Sequence, residues 1–249
     1  MPDFASYPSL KGRTVFISGG GSGIGASLVE HFATQGSKVG FVDIDEPASK
    51  AIAAKTGALF IKCDIRDVKA YQAAIGEVAG KHGPITALVN NAARDDRHEL
   101  EDVTPEFFDE RIAVNLRHAF FAIQAVAPGM KKAGGGSIVN FSSISYHTMT
   151  ANLSVYQAAK AATIGMTRGL ARDLGPDKIR LNSITPGWIM TQRQIDLWLT
   201  PEAEADLMKA QVLKEKVYPP DIARMALFLA ADDSQLISGQ NFVVDGGRM

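Results

Sequence analysis

The chain has 249 residues, 46% of them hydrophobic, with 26 basic and 27 acidic side chains and a formal net charge of −1. This suits one α/β domain with a sizeable core and argues against disorder; the balanced charge gives no support for a nucleic-acid or anionic-membrane partner. The one cysteine, Cys63, leaves no disulfide framework within the chain and fits a reducing, cytoplasmic setting.

In chain order, "MPDFASYPSLKGR" carries no apolar signal core, and no apolar run reaches the ~18 residues a membrane span needs. Strands are then expected at 14–18, 38–44, 58–65, 85–91, 136–143, 179–186 and 241–246. Most of these runs are almost continuously apolar, the pattern of strands buried on both faces of a parallel sheet. Helices are expected near 24–35, 46–56, 67–82, 105–131, 154–174 and 219–231, two of them opened by Thr104-Pro105-Glu106 and Pro219-Pro220-Asp221. The alternation predicts a single-domain (1–249), Rossmann-like doubly wound parallel sheet of about seven strands with helices on both faces. The stretch 188–215 breaks the rhythm. It is polar and helical yet carries Trp188, Ile195, Leu197, Trp198 and Leu199, and it is expected to form a substrate lid.

"SGGGSGIG" (18–25) follows the first strand and opens the first helix, with Gly19, Gly23 and Gly25 spaced G-x-x-x-G-x-G. Glycines there permit a tight turn and let a pyrophosphate approach the backbone at a helix N-terminus. Ala26 stands where a triphosphate-binding loop needs lysine. Asp43 ends the second strand 18 residues beyond Gly25, close to the spacing of the acid that binds the adenosine ribose; Asp45 could serve equally. No Arg or Lys occupies 39–49, so a 2′-phosphate would meet a carboxylate without a cation. NAD is favoured over NADP. None of the five histidines has metal-ligand spacing, and no metal is expected.

Tyr156 and Lys160, in "SVYQAAKAA", are four apart and share one helix face. They are either a packing pair or a proton-transfer device. A free tyrosine has a pKa of about 10, and an adjacent ammonium favours the tyrosinate that a base requires. With these motifs in order, the chain resembles the short-chain dehydrogenase/reductase family nearly end to end. The resemblance rests on Gly19, Gly23, Ile24 and Gly25; Asp64 in "CDIRD"; "NNAA" (Asn90 to Ala93) in place of NNAG; Asn115 in "VNLRH"; Ser143, 13 residues before Tyr156; the YxxxK pair; Pro186-Gly187; and Thr191. It implies Tyr156 as acid/base and Ser143, rather than its neighbour Ser142, as the group orienting the substrate oxygen. Lys160 would also hold the nicotinamide ribose, and Asn115 would position a water that links Lys160 to solvent. Cofactor contacts are implied at Ser22, Ile44, Asp64, Ile65, Asn91, Ala92, Pro186, Gly187, Ile189 and Thr191 besides the glycines, Asp43, Tyr156 and Lys160. A homotetramer built through the 105–131 and 154–174 helices and the last strand is implied as well.

The segments that would line the substrate pocket are polar: "RDDRH" (94–98), "ISYHTMTANLS" (144–154) and "WIMTQRQIDLWLTPE" (188–202). A polyhydroxylated substrate needs matching donors and acceptors, and a site built for hydroxyls rejects analogues lacking them. "DDRH", "DERIAVNLRH", "QAVAPGMKK", "SISYH" and "LWLTPEAEA" resemble the aldose 1-dehydrogenase branch of the family, of the pentose, D-xylose type. That implies oxidation of a sugar at C1 to the lactone. Arg94, Asp95, Ser143, Ser145, His147, Asn152, Tyr156 and Trp188 are the expected substrate contacts, with His147 and Asn152 foremost. The alternative is a polyol or secondary-alcohol dehydrogenase, or a ketone reductase, of the same family.

Overall fold

The apolar runs pair side by side, and the computed structural model describes them within residues 4–249. The first three residues of the N-terminal stretch lie outside that range. Strands β1 (Thr14–Ser18), β2 (Lys38–Asp43), β3 (Leu59–Lys62), β4 (Ala87–Asn90), β5 (Gly136–Phe141), β6 (Ile179–Pro186) and β7 (Asn241–Val244) form one sheet in the order β3-β2-β1-β4-β5-β6-β7. Every pairing is parallel. Between β3 and β4 the chain crosses β1 and builds outward on its other side. That reversal opens a crevice at the carboxyl ends of the strands, where ligands bind in sheets of this kind.

Nine α-helices are described: α1 (Gly23–Thr34), α2 (Glu46–Thr56), α3 (Val68–His82), α4 (Pro105–Ile112), α5 (His118–Lys132), α6 (Ser154–Leu174), α7 (Gln192–Trp198), α8 (Pro201–Ala210) and α9 (Pro219–Ala230). Alternate strand residues feed two apolar layers. Val15, Ile17, Phe41, Val89 and Val139 pack with α1 and α9, whereas Phe16, Val42, Leu88 and Ile138 pack with α3 and α5. Both faces are therefore dry, which is why the strands read as continuous rather than alternating. Each large apolar side chain fully buried there contributes about 1.5–3 kcal/mol.

Two expectations need correction. The runs at 58–65, 85–91 and 136–143 stop pairing at Lys62, Asn90 and Phe141, because beyond those points the chain leaves its partner strands and turns along the crevice. The helix expected at 105–131 is interrupted by a π-helical turn, Ala113–Arg117, between α4 and α5. Such a turn inserts one residue into the helical ladder and often accompanies a functional site. The expected lid folds as α7 and α8.

Candidate active site

The crevice is a cleft of about 910 Å³. One end is built from the β1–α1 glycine loop. Gly19 (φ 71°) and Gly23 (φ 52°) adopt left-handed backbone, and a Cβ on Gly25 would sit 1.6 Å from the Gly19 carbonyl oxygen. Asn91 cements the turn by donating from Nδ2 to the Ser18 and Gly19 carbonyls at 3.1 and 3.0 Å. A Cβ on Gly19 would meet Ala92 at 2.8 Å, so the segment just after β4 backs directly onto the loop. The first turn of α1 turns its unpaired N–H groups and positive dipole end toward the cleft, beside Ser22, Gly23 and Ile24 on the cleft wall. The cradle fits a dinucleotide pyrophosphate.

Asp43 stands at the end of β2, its Oδ2 accepting the Gly21 N–H at 2.8 Å. Asp45 instead caps α2 by accepting the Ala48 N–H, so geometry separates the two acids. Ile44, Asp64, Ile65 and Cys63 continue this end of the wall. The Asp64 carboxylate is bound by Arg66, which also reaches Glu110 at 2.8 Å. Arg66 is a cation on this wall, beyond the cation-free stretch 39–49, and its charge is committed to those two carboxylates. Pro186, Gly187, Ile189 and Thr191 face the loop from β6, with the Thr191 methyl 3.0 Å from where a Gly23 Cβ would be.

At the far end, α6 presents Tyr156 and Lys160 to the same wall as Ser143. The Lys160 ammonium lies 5.6 Å from the Tyr156 ring centroid and donates to the Phe141 carbonyl at 2.9 Å. Ser142 is buried and donates to the Lys160 carbonyl at 2.7 Å, a structural duty. Ser143 begins a short 3-10 turn, its Oγ accepting the Ser145 N–H, and its hydroxyl acts on Tyr156. Asn115 sits in the π turn rather than on the cleft wall. Its amide accepts the Arg94 N–H at 2.9 Å and donates to the Arg94 and Arg111 carbonyls at 3.1 and 3.0 Å. One amide interaction thus pins the segment after β4 and the other ties the side chain to the Arg111 carbonyl of α4.

The electrostatics differ from the sequence expectation. Burial, then the Asp95 carboxylate, push the Tyr156 hydroxyl above its ordinary value, against smaller opposite effects of Ser143 and Arg97. Burial lowers Lys160 to about 8, partly countered by Asp95. Tyr156 therefore carries its proton at neutral pH, ready to give it or, once ionised, to take one.

The family described as Enoyl-(Acyl carrier protein) reductase matches residues 19–248. The chain is 49% identical over 248 residues to the D-xylose 1-dehydrogenase of Caulobacter vibrioides, covering 98% of each. It is 50% identical over 249 residues to the Probable galactose dehydrogenase GalD of Rhizobium meliloti, covering 98% of this chain and 97% of the other. Its fold matches a short-chain type dehydrogenase/reductase from Mycobacterium ulcerans with a TM-score of 0.91 at 26% identity, covering 98% of this chain and 91% of that one. The chain belongs to the short-chain dehydrogenase/reductase family. It is accordingly an oxidoreductase acting on a CH–OH group with a nicotinamide cofactor.

The end of the cleft beyond Tyr156 is lined by the segment after β4, the turn after Ser143, and α7. Asp95, Ser145 and Trp188 lie on its wall, as does Arg94, whose side chain is half exposed and pairs with Asp96 at 3.2 Å. The Ser145 Oγ is buried with no partner among the described residues. His147 and Asn152 are not on the wall. His147 is exposed, its ring 5.3 Å from that of Tyr146. Asn152 adopts a left-handed backbone (φ 59°), which asparagine tolerates better than most residues, and its amide donates to Glu99 at 2.8 Å outside the cleft. Both look like substrate ligands in a linear chain because the loop around them is polar; the turn that carries Ser145 inward carries them outward.

Arg97, Gln194 and Trp198 fall in the segments expected to line the pocket without being among the contacts named there, and Arg111 had no expected role. Arg97 lies over the Trp198 ring at 4.8 Å and, like Gln194 and Trp198, lines the cleft. Arg111, buried on α4, bridges Glu110 and Asp96. An arginine in "DERIAV" gives no sign of burial until α4 is packed. Among the described residues no cluster of metal-ligating side chains occurs, and no helix is long and apolar enough to cross a membrane.

Proposed function

We propose that the protein oxidises a free aldose at C1 with NAD⁺, releasing the aldonolactone. The observation that carries the reading is the polar substrate wall: Asp95, Gln194, Arg97 and the buried, unpartnered Ser145 Oγ stand beside Tyr156 and Ser143. An acyl chain or steroid would leave the Ser145 Oγ and the Arg97 Nε unpaired, at a cost of about 1–3 kcal/mol each. The two relatives near 50% identity carry the names of sugar dehydrogenases, which supports the same substrate class.

The C1 hydroxyl would lie between Ser143 and Tyr156. Ser143 holds and orients the oxygen, and the ionised Tyr156 takes its proton. Lys160 supplies a positive field next to that phenolate and is itself eased toward neutrality by burial. NAD⁺, when bound, accepts the hydride from C1. Asp43 at the adenosine end supports NAD⁺, since a 2′-phosphate would face its carboxylate and Arg66 is already paired. The reading carries with it a cytoplasmic homotetramer. Phe108 and Phe120 on α4 and α5, and Val243 on edge strand β7, remain exposed at 44%, 43% and 38% in one chain, which supports further association.

The test is NAD⁺ and NADP⁺ reduction with a panel of pentoses and hexoses beside polyols, simple ketones and acyl thioesters. The expected result is turnover with at least one aldose, kcat/KM higher for NAD⁺ than NADP⁺, and a narrowed cofactor gap in Asp43→Ala. Faster turnover of a polyol, ketone or thioester than of every aldose would overturn the sugar reading. A clear NADP⁺ preference would overturn the role of Asp43. Sedimentation of the same preparation checks the tetramer.

A further inference from the structure

Helix α7 buries none of its side chains. An element without a buried apolar anchor is held by whatever polar contacts it makes and opens easily. Here those contacts converge on the segment after β4. Gln194 Nε2 donates to Asp95 Oδ2 at 2.8 Å, and Arg193 reaches Asp95 and Asp96 at 3.4 and 3.2 Å. Trp198 stacks on Arg97. The orientation of Gln194 is fixed by chemistry: the Trp188 indole N–H, which can only donate, reaches Gln194 Oε1 at 2.8 Å. The amide NH₂ must then face Asp95.

Asp95 is also the carboxylate that shares the cleft wall with Tyr156 and Lys160. A negative charge there opposes formation of a second one on the tyrosine oxygen. For a base this is unfavourable, unless something offsets it at the moment of reaction. The other charged or polar groups acting on Tyr156 are Arg97 from the same segment, Ser143 after β5, and Lys160 one turn along α6. Of these, Arg97 meets α7 through Trp198; Arg193 and Gln194 of α7 meet Asp95 itself.

We infer that Asp95 ties closure of α7 to arming of the base: docked α7 disperses the carboxylate's charge through Arg193 and Gln194 and so eases ionisation of Tyr156, and lifted α7 leaves Asp95 unshielded, so that Tyr156 holds its proton more tightly. Arming is the loss of that proton to water, with no other bond made or broken. The inference rests on the dehydrogenase reading with Tyr156 as base.

The experiment has two readouts on the full-length protein. The first is hydrogen exchange across 192–199 without substrate. Asp95→Asn and Arg193→Gln should each raise exchange there several-fold, while the sheet amides stay as in the wild type. The second is the pH dependence of kcat/KM with whichever compound of the panel turns over fastest. Asp95→Asn should move the acid limb down by about half a unit to one unit, since removing a like charge favours ionisation. Arg193→Gln should move it up in the wild-type background and leave it unmoved in the Asp95→Asn background. Added salt should act as Arg193→Gln does, by screening an exposed pair. An unmoved limb in Asp95→Asn, or an equal Arg193→Gln shift in both backgrounds, overturns the coupling. If Asp95→Asn does not fold, the surface variant Arg193→Gln and the salt series still decide. Retained turnover in Tyr156→Phe would instead overturn the base assignment.

Discussion

Tyr156 has a hydroxyl raised by burial and by Asp95, and a ring that packs whether or not the hydroxyl is present. Tyr156→Phe is therefore expected to keep NADH binding and the melting temperature while kcat falls by about 10²–10⁴-fold, the usual worth of a positioned acid/base. Lys160→Ala should harm both binding and rate, because one buried ammonium would serve both the nicotinamide ribose and Tyr156. Stopped-flow turnover beside calorimetric NADH titration separates these outcomes. The pair was legible in the sequence because the four-residue spacing of a helix is enough to put two side chains together. The sign of the tyrosine's shift was not. It depends on burial and on Asp95, which lies 61 positions away in the chain and reaches Tyr156 only through the fold.

At the scale of elements, the β1–α1 turn is the most constrained. A methyl group on Gly25 has no room against the Gly19 carbonyl. Gly25→Ala must open the loop, and forcing a methylene into a packed site costs about 1–3 kcal/mol. Dissociation constants for NADH should rise by about five- to a hundredfold on that scale, with a lowered melting temperature. Ser22→Ala, on an exposed position of the same loop, should change NADH affinity far less. An unchanged NADH affinity in Gly25→Ala would show that the loop does not cradle the dinucleotide. Spacing alone exposed this turn, as it did the strands and most helix ends. It did not expose the π turn at Ala113–Arg117, since the same residues satisfy an uninterrupted helix pattern. The π turn holds Asn115 against the backbone of Arg94, a contact between segments that no local pattern reveals.

Across the whole molecule, the packing of α5 against α3 buries His118 beside Tyr71, ring centroids 6.2 Å apart. Burial, with the Lys160 charge adding to it, pushes His118 down to about 3. The folded protein then keeps this ring neutral while the unfolded chain protonates it near pH 6.5. Between those values the unfolded state binds more protons, so stability falls as pH falls. The urea midpoint should drop steadily from pH 7 toward pH 4, and His118→Leu should flatten much of that decline. An unchanged slope in His118→Leu would place the acid sensitivity elsewhere.

The same scale divides what the chain spells out from what it leaves to folding. The continuous apolar runs, the glycine turn and the Tyr156–Lys160 spacing are local patterns. Each follows from backbone geometry over a few residues, so the sequence by itself determined the sheet, the glycine turn and the Tyr156–Lys160 pairing. The substrate wall is assembled from three segments separated by dozens of residues, and polarity alone cannot say which side chains of a loop turn inward. Only the tertiary structure placed Ser145, Gln194 and Arg97 on the cleft wall and His147 and Asn152 off it, because the direction of a loop side chain is set by the turns and partners around it rather than by a repeating period.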